Sequence, residues 1–251
     1  MAALVFAFLL VALVYASVGF GGGSTYNALL VLSDVDYRIL PAIALACNIV
    51  VVAGGVVHFG SRRLIPWRRI APWIIASAPA AFIGGMLHIP ERAFLAILGS
   101  ALVIAGAQLI LRRAPSTPPP PHRPGRASTF AGGASLGLLA GVTGVGGGII
   151  LAPLLHWLRW GPPRQIAGAA SLFILVNSLS GLAGQATKLA ETNMAALAAS
   201  YWPLLAGVLV GGQIGSRLGA AGMPDAWLRR ITGVVVLYAA ARLLLQFWSS
   251  S

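Results

Sequence analysis

The 251-residue chain is poor in acid. Five residues are Asp or Glu against 17 Lys and Arg, and charged residues together make up only 9% of it. An ordinary soluble domain carries roughly 25%. With 58% hydrophobic residues and a positive mean hydropathy, the chain reads as an integral membrane protein. No carboxylate pair lies inside an apolar run, which removes paired-carboxylate acid–base chemistry. The one cysteine, Cys47, excludes an internal disulfide and any cysteine-only metal cage. It reads as a small apolar packing residue within a span. An H-E-x-x-H pair, a nucleophile elbow and a Walker lysine are also missing. No enzymatic activity, cofactor or metal is therefore expected.

The net charge of +12 would point to nucleic acid in a soluble protein. Here the basic residues fall in short loops between apolar runs, which is the pattern of topogenic charge, and nucleic acid is excluded as a partner. Residues Met1 to Ser17 lack the basic n-region of a signal peptide and run straight into glycine, so they read as the first mature segment.

Glycine is what the chain has in abundance, and it is concentrated. Residues 141–153 hold Gly141, Gly144, Gly146, Gly147 and Gly148, with apolar sequence on both sides. A plainer copy, Gly19-Phe-Gly-Gly-Gly-Ser24, lies near the N-terminus. A glycine run breaks a helix through its backbone entropy and its exposed N–H and C=O groups. In lipid such backbone survives only where protein or a wet cavity surrounds it. A nucleotide-loop reading fails, because the first run lacks the G-x-G-x-x-G spacing and neither run has a βαβ context.

Apolar runs long enough to cross, at about 20 residues each, are predicted around 39–59, 70–87, 93–111, 166–184, 195–214 and 231–247. Shorter pieces at 2–18, 26–32, 130–142 and 149–158 flank the glycine runs. Trp202, Trp227 and Trp248 fall near span ends, as interfacial anchors do. The histidines at 58, 88 and 156 also fall at or near span ends, where a solvated or interfacial role is expected. Residues 112–126 carry six prolines and four arginines and read as a semi-extended linker.

The second half replays the first. Gly21, Gly22 and Gly23 fall on Gly146, Gly147 and Gly148 at an offset of 125, and Asn48 and Gly55 on Asn177 and Gly184 at 129. Gly84 falls on Gly215, Pro90 on Pro224 and Gly99 on Gly233, the offset growing only in loops. Charge decides how the halves lie. If they are inverted, loops 60–70, 112–126, 159–164 and 217–230 share one face with 13 basic residues. Arg38, Arg92 and Lys188 then stay on the other face, each beside an acidic neighbour (Asp36, Glu91 and Glu191), with Arg242 near the outer end of the last span. The positive-inside rule favours inversion. Three full spans per repeat then require each glycine-broken unit to enter and leave on one side.

The expected fold is an all-α polytopic membrane protein of two inverted repeats. Each repeat is a glycine-broken helical hairpin plus three full spans, giving about eight membrane segments within a range of 6–10. The parts are a first repeat at 1–111, a cytoplasmic Pro/Arg-rich linker at 112–127 and a second repeat at 128–251. Two hairpins entering from opposite faces would bring their glycine tips together at mid-membrane, with second helices starting near Ser24 and Ile149. Helix N-termini there suit an anion. The substrate-path candidates are Gly21, Gly22, Gly23, Ser24, Asn27, Asn48, Thr143, Gly146, Gly147, Gly148, Asn177 and Gln185. Thr25 is a further donor on the first half, and Gln185 is placed at one entrance. The competing readings are close helix packing for the small-xxx-small series Gly207, Gly211 and Gly215, and interhelical hydrogen bonding for Asn48 and Asn177.

These residues carry a family likeness. Gly19-Phe-Gly-Gly-Gly-Ser24 and Gly144-Val-Gly-Gly-Gly-Ile-Ile-Leu-Ala-Pro153-Leu-Leu resemble the doubled glycine segment of the TauE/SafE sulfite exporter family. The likeness extends over essentially the whole chain. Asn27-Ala28 stands where the family tends to have a proline. The resemblance implies a secondary membrane transporter, a permease for small anions that exports sulfite, sulfonates or related organosulfur anions. It also implies multi-pass placement in the bacterial inner (plasma) membrane. Expected partners are a small-molecule anion and the lipid bilayer, with a homodimer allowed. The alternative is a non-transporting membrane subunit or assembly factor that docks a partner helix through its glycine surfaces.

Overall fold

The computed structural model describes residues 1–17, 19–111, 125–158, 160–191, 194–219 and scattered positions between 234 and 248. The described residues form helices and no strand. The first half holds α1 (Ala2–Ser17), α2 (Gly23–Leu32), α3 (Leu40–Ser61), α4 (Trp67–Met86) and α5 (Glu91–Leu111). The second holds α6 (Arg126–Thr143), α7 (Gly148–Trp157), α8 (Pro163–Glu191), α9 (Ala195–Ala199) and α10 (Trp202–Gly219). Among the described residues, three stretches are long and apolar enough to cross a bilayer: Leu40–Ser61, Arg164–Glu191 and Ala195–Arg217.

The glycine runs break the chain as their chemistry requires. Gly22 precedes α2 at φ 92 and Gly144 follows α6 at φ 75, a left-handed conformation that other residues enter only at a cost. The second helices begin at Gly23 and Gly148, each one residue before its expected start. Two boundaries move further. Helix α8 runs to 29 residues, well past the expected end at 184. The run 195–214 is interrupted at Ser200–Tyr201, where Pro203 opens α10 at a position that needs no intrahelical N–H bond. Of the linker, 112–124 lies outside the described residues, and Arg126 already begins α6. The expected last span, 231–247, is described only at isolated positions, among them Val234, Tyr238 and Leu245, which are helical.

Glycine also sets the packing. Along α6, Gly133, Gly137 and Gly141 lie against the backbone carbonyls of Trp73, Ser77 and Ala81 in α4. Along α10, Gly207, Gly211 and Gly215 lie against those of Val5, Leu9 and Leu13 in α1. Each is a small-xxx-small ladder whose bare face admits the neighbouring backbone. Both pairs run parallel, because contacts advance together along the two chains. Ser180 donates to the Ala78 carbonyl at 2.6 Å and Gly184 meets that of Phe82, so α8 runs parallel to α4. Helices α3 and α8 cross antiparallel, with Leu45 beside Gly181 and Gly55 beside Ser171. The packed pairs are reciprocal: α1 on α10 answers α6 on α4, and α3 on α10 answers α8 on α4.

These directions sort charge by end. The basic turns after α3 and before α8 meet, where the Arg69 guanidinium donates to the Trp160 carbonyl and stacks 4.3 Å over its ring. At the opposite end, His88 pairs with Glu191 at 3.5 Å. There Asp34, Asp36, Arg38 and Glu91 line an open cleft of about 480 Å³. The Arg38 guanidinium beside the Tyr37 hydroxyl and Asp36 is held still more firmly protonated.

A side chain at Gly137 would collide with the Ser77 carbonyl and its neighbouring backbone, which cannot yield as a rotamer can. Gly137→Ala is expected to cost about 1–3 kcal/mol, read as a lower unfolding temperature in detergent. Gly125→Ala, with only the Ser128 hydroxyl 3.8 Å away, should leave that temperature unchanged.

Candidate functional site

Each glycine tip is a sharp turn between a helix that ends and a helix that begins. Tip one lies between α1 and α2, tip two between α6 and α7, and the two touch. A Cβ placed on Gly23 would stand 2.8 Å from the Gly144 carbonyl, 2.9 Å from that of Val145 and 2.5 Å from Asn48 Nδ2. Only glycine backbones can approach so closely. Asn48, from the middle of α3, lies between the tips, touching Gly21 and Gly23 on one side and Gly146 on the other.

Helix α6 ends at this point, and the last carbonyls of a helix have no partner within it. Amide side chains from three other helices supply partners. Asn27 Nδ2 in α2 donates to the Thr143 carbonyl at 2.7 Å, and Asn48 Nδ2 in α3 to that of Gly144 at 3.3 Å. Gln185 Nε2 in α8 donates to the Gly141 carbonyl at 2.9 Å. The carbonyl of Gly19, in tip one, accepts from the Ser171 hydroxyl at 2.6 Å.

What is left over is polar and buried. Ser24, Asn27, Asn48, Asn177, Ser178 and Gln185 are each at most 1% exposed. Among the described residues, the Ser24 and Ser178 hydroxyls, the side-chain oxygens of Asn27, Asn48 and Gln185, and both polar atoms of Asn177 have no hydrogen-bond partner. Buried polar atoms are ordinarily satisfied, so such a concentration calls for an explanation.

The expected candidates separate into groups. Gly21, Gly22, Gly23, Ser24, Asn27, Asn48, Thr143 and Gly146 converge at the tips. The Thr143 hydroxyl is committed, donating to the Leu139 carbonyl at 2.7 Å and accepting from Val145 N–H at 3.3 Å. Thr25 is likewise paired, with the Tyr15 hydroxyl at 2.7 Å. Gly147 and Gly148 face Phe173 and Ile174 of α8 rather than tip one. Gln185 is buried within α8, not at an entrance, and lies about two turns, or 12 Å, beyond Asn177. In space the counterpart of Asn48 is Ile174, which touches Gly146 and Gly148 as Asn48 touches Gly21 and Gly23. Asn177 sits three residues further along. Ser171 and Ser178 complete the surroundings. Neither is set apart by the sequence, although Ser178 directly follows Asn177. His58 is half-buried and His88 exposed, while the side chain of His156 lies outside the described residues.

An all-helical membrane protein whose broken helices meet around buried polar groups is built as membrane transporters are. The family model described as "Sulfite exporter TauE/SafE" matches residues 4–243, and the chain belongs to that family. It is 34% identical over 244 residues to "Probable membrane transporter protein y4hK" of Sinorhizobium fredii, covering 96% of this chain and 97% of that one. It is also 40% identical over 60 residues to a "Probable membrane transporter protein" of Haemophilus influenzae, covering 24% and 21% of the two. No solved structure matches. The chain is accordingly a membrane transporter.

Asn27 and Asn177 should differ in what they do for the fold. Asn27→Ala removes the partner of a buried carbonyl and is expected to cost about 1–3 kcal/mol, whereas Asn177→Leu removes only unsatisfied atoms and should be neutral or stabilising. Thermal unfolding of the two variants in detergent checks the contrast.

Proposed function

We propose that the protein is a secondary transporter that exports a small anion, of the sulfite or sulfonate type, across the bacterial cytoplasmic membrane. The observation that carries this reading is the meeting of two glycine tips around buried, unpartnered polar side chains. Helices α2 and α7 begin there, and their first N–H groups and dipoles favour negative charge without a buried cation. The family description supports sulfur oxyanions as the cargo. With an inside-negative potential, efflux of an anion is driven by about 2.3 kcal/mol per charge per 100 mV, so no coupling ion is required.

The architecture belongs to the same proposal: two inverted repeats, 1–111 and 128–251, with about eight membrane segments and a cytoplasmic linker at 112–127. It is supported by the reciprocal packing, the antiparallel crossing of α3 and α8, and the gathering of arginine at one end. The docking alternative is disfavoured, because the glycine faces of α6 and α10 are already filled by α4 and α1.

Gly147 holds φ 72 at the start of α7, so a leucine there strains the turn as well as crowding Phe173. Gly147→Leu should insert normally yet abolish sulfite and sulfonate flux in proteoliposomes; full flux in this variant would remove the tips from the transport path. For topology, Pro162→Cys should resist an impermeant thiol reagent in intact cells and react once the membrane is opened. Native Cys47 is buried and gives little background. Labelling of intact cells would reverse the proposed orientation.

A further inference from the structure

We propose that the site between the tips selects an anion carrying its own hydrogen-bond donor, and that Asn48 with Asn27 enforces this choice. The inference rests on the reading of the tips as the transport site and adds the substrate chemistry that site favours.

A primary amide holds its nitrogen and its oxygen on opposite sides of one planar group, so fixing either atom aims the other. Asn27 and Asn48 both have their nitrogens fixed by the end of α6, on the carbonyls of Thr143 and Gly144. Their oxygens are therefore directed elsewhere, buried and without partners among the described residues, and Asn48 Oδ1 lies against Gly21 in tip one. Turning either amide over would set its oxygen against a backbone carbonyl, acceptor facing acceptor, and would orphan that carbonyl. The orientation is thus locked by helix capping rather than left to the ligand.

The other polar groups adapt. A hydroxyl such as that of Ser24 or Ser178 serves as donor or acceptor by rotating. Neither polar side-chain atom of Asn177 is engaged among the described residues, so its amide can present either side. The selective elements are the two locked oxygens. An anion that only accepts hydrogen bonds is held at its charged end by helix N-termini and leaves these oxygens unmatched. An anion bearing a hydroxyl, an amino group or an acidic proton of its own satisfies them. A site built to bond such a group rejects the analogue that lacks it, because the buried partner is then left orphaned.

The test compares two sulfonates of equal charge and closely similar size, ethanesulfonate and 2-hydroxyethanesulfonate, with the full-length protein in proteoliposomes. The hydroxylated anion should show about tenfold higher kcat/KM, the order expected for one unmatched buried acceptor. Asn48→Leu should bring that ratio close to one, chiefly by slowing the hydroxylated anion. Asn27→Ala provides a second variant should Asn48→Leu misfold. Equal wild-type rates, or a preference for ethanesulfonate, would overturn the inference while leaving anion transport intact. Variants that slow both anions equally would reduce the asparagines to caps and overturn it as well. If neither sulfonate nor sulfite moves through the wild-type protein, the transport reading itself fails.

Discussion

A carbonyl at the end of a helix inside a membrane protein has nowhere to turn but to other protein groups. Water is scarce at that depth, and an unsatisfied backbone group costs several kcal/mol. Helix α6 stops in such surroundings, and its final carbonyls are satisfied by Asn27, Asn48 and Gln185, drawn from α2, α3 and α8. Two of these helices belong to the first half of the chain, so capping one hairpin draws it onto the other. The contact between the tips follows from this. Separating them would strip partners from Thr143 and Gly144 at once.

Around this junction the scaffold is made stiff by the same residue type used in the opposite way. In the tips, glycine supplies left-handed backbone and ends helices. In α6 and α10, single glycines four residues apart leave the helix intact and remove its surface, letting α4 and α1 press their carbonyls into the bare face. The result is two tightly joined parallel pairs flanking the α3–α8 crossing, which carries Asn48 and Asn177. The ends differ as well. At the basic end Arg69, in the first turn of α4, fastens that helix to the turn before α8, with Trp160 buried beneath it. The acidic end opens into a cleft lined by Asp34, Asp36, Arg38 and Glu91.

Much of this was legible in the sequence, and the limits have physical causes. The glycine runs announced the helix breaks, and the second helices begin one residue from their expected starts, because a glycine run can hardly be read any other way. The series Gly207, Gly211 and Gly215 was legible as a packing face. The end of α8 was not: Gln185 to Glu191 turns polar and so reads as leaving the span, although its Ala, Lys, Leu and Glu are good helix formers that carry the helix on past the apolar run. The role of Thr143 was misplaced because an isolated hydroxyl reads as a donor, whereas in a helix its nearest acceptor is the carbonyl four residues back. Ser171 and Ser178 were invisible for a related reason. A serine in a membrane helix commonly satisfies itself, and only the arrival of Gly19 or Gly146 from elsewhere in the chain shows which one does more.

The sequence register that sets Asn177 opposite Asn48 differs from the spatial one. Aligning Asn48 with Asn177 makes the two halves of the site equivalent, as if each tip had its own asparagine. In space the second tip rests on Ile174, and Asn48 serves both tips from one side. Two equivalent half-sites would each present one helix N-terminus and one amide. The observed arrangement instead places the locked amides of Asn27 and Asn48 where the tips meet, with Asn177 about a turn further along α8 and not hydrogen-bonded among the described residues. On the proposed reading, both positive helix ends act on a single charge, while the amides proposed to discriminate among anions both come from the first half. The asymmetry has a local cause: the Asn48 amide faces both tips but is held by only one of them, through the Gly144 carbonyl.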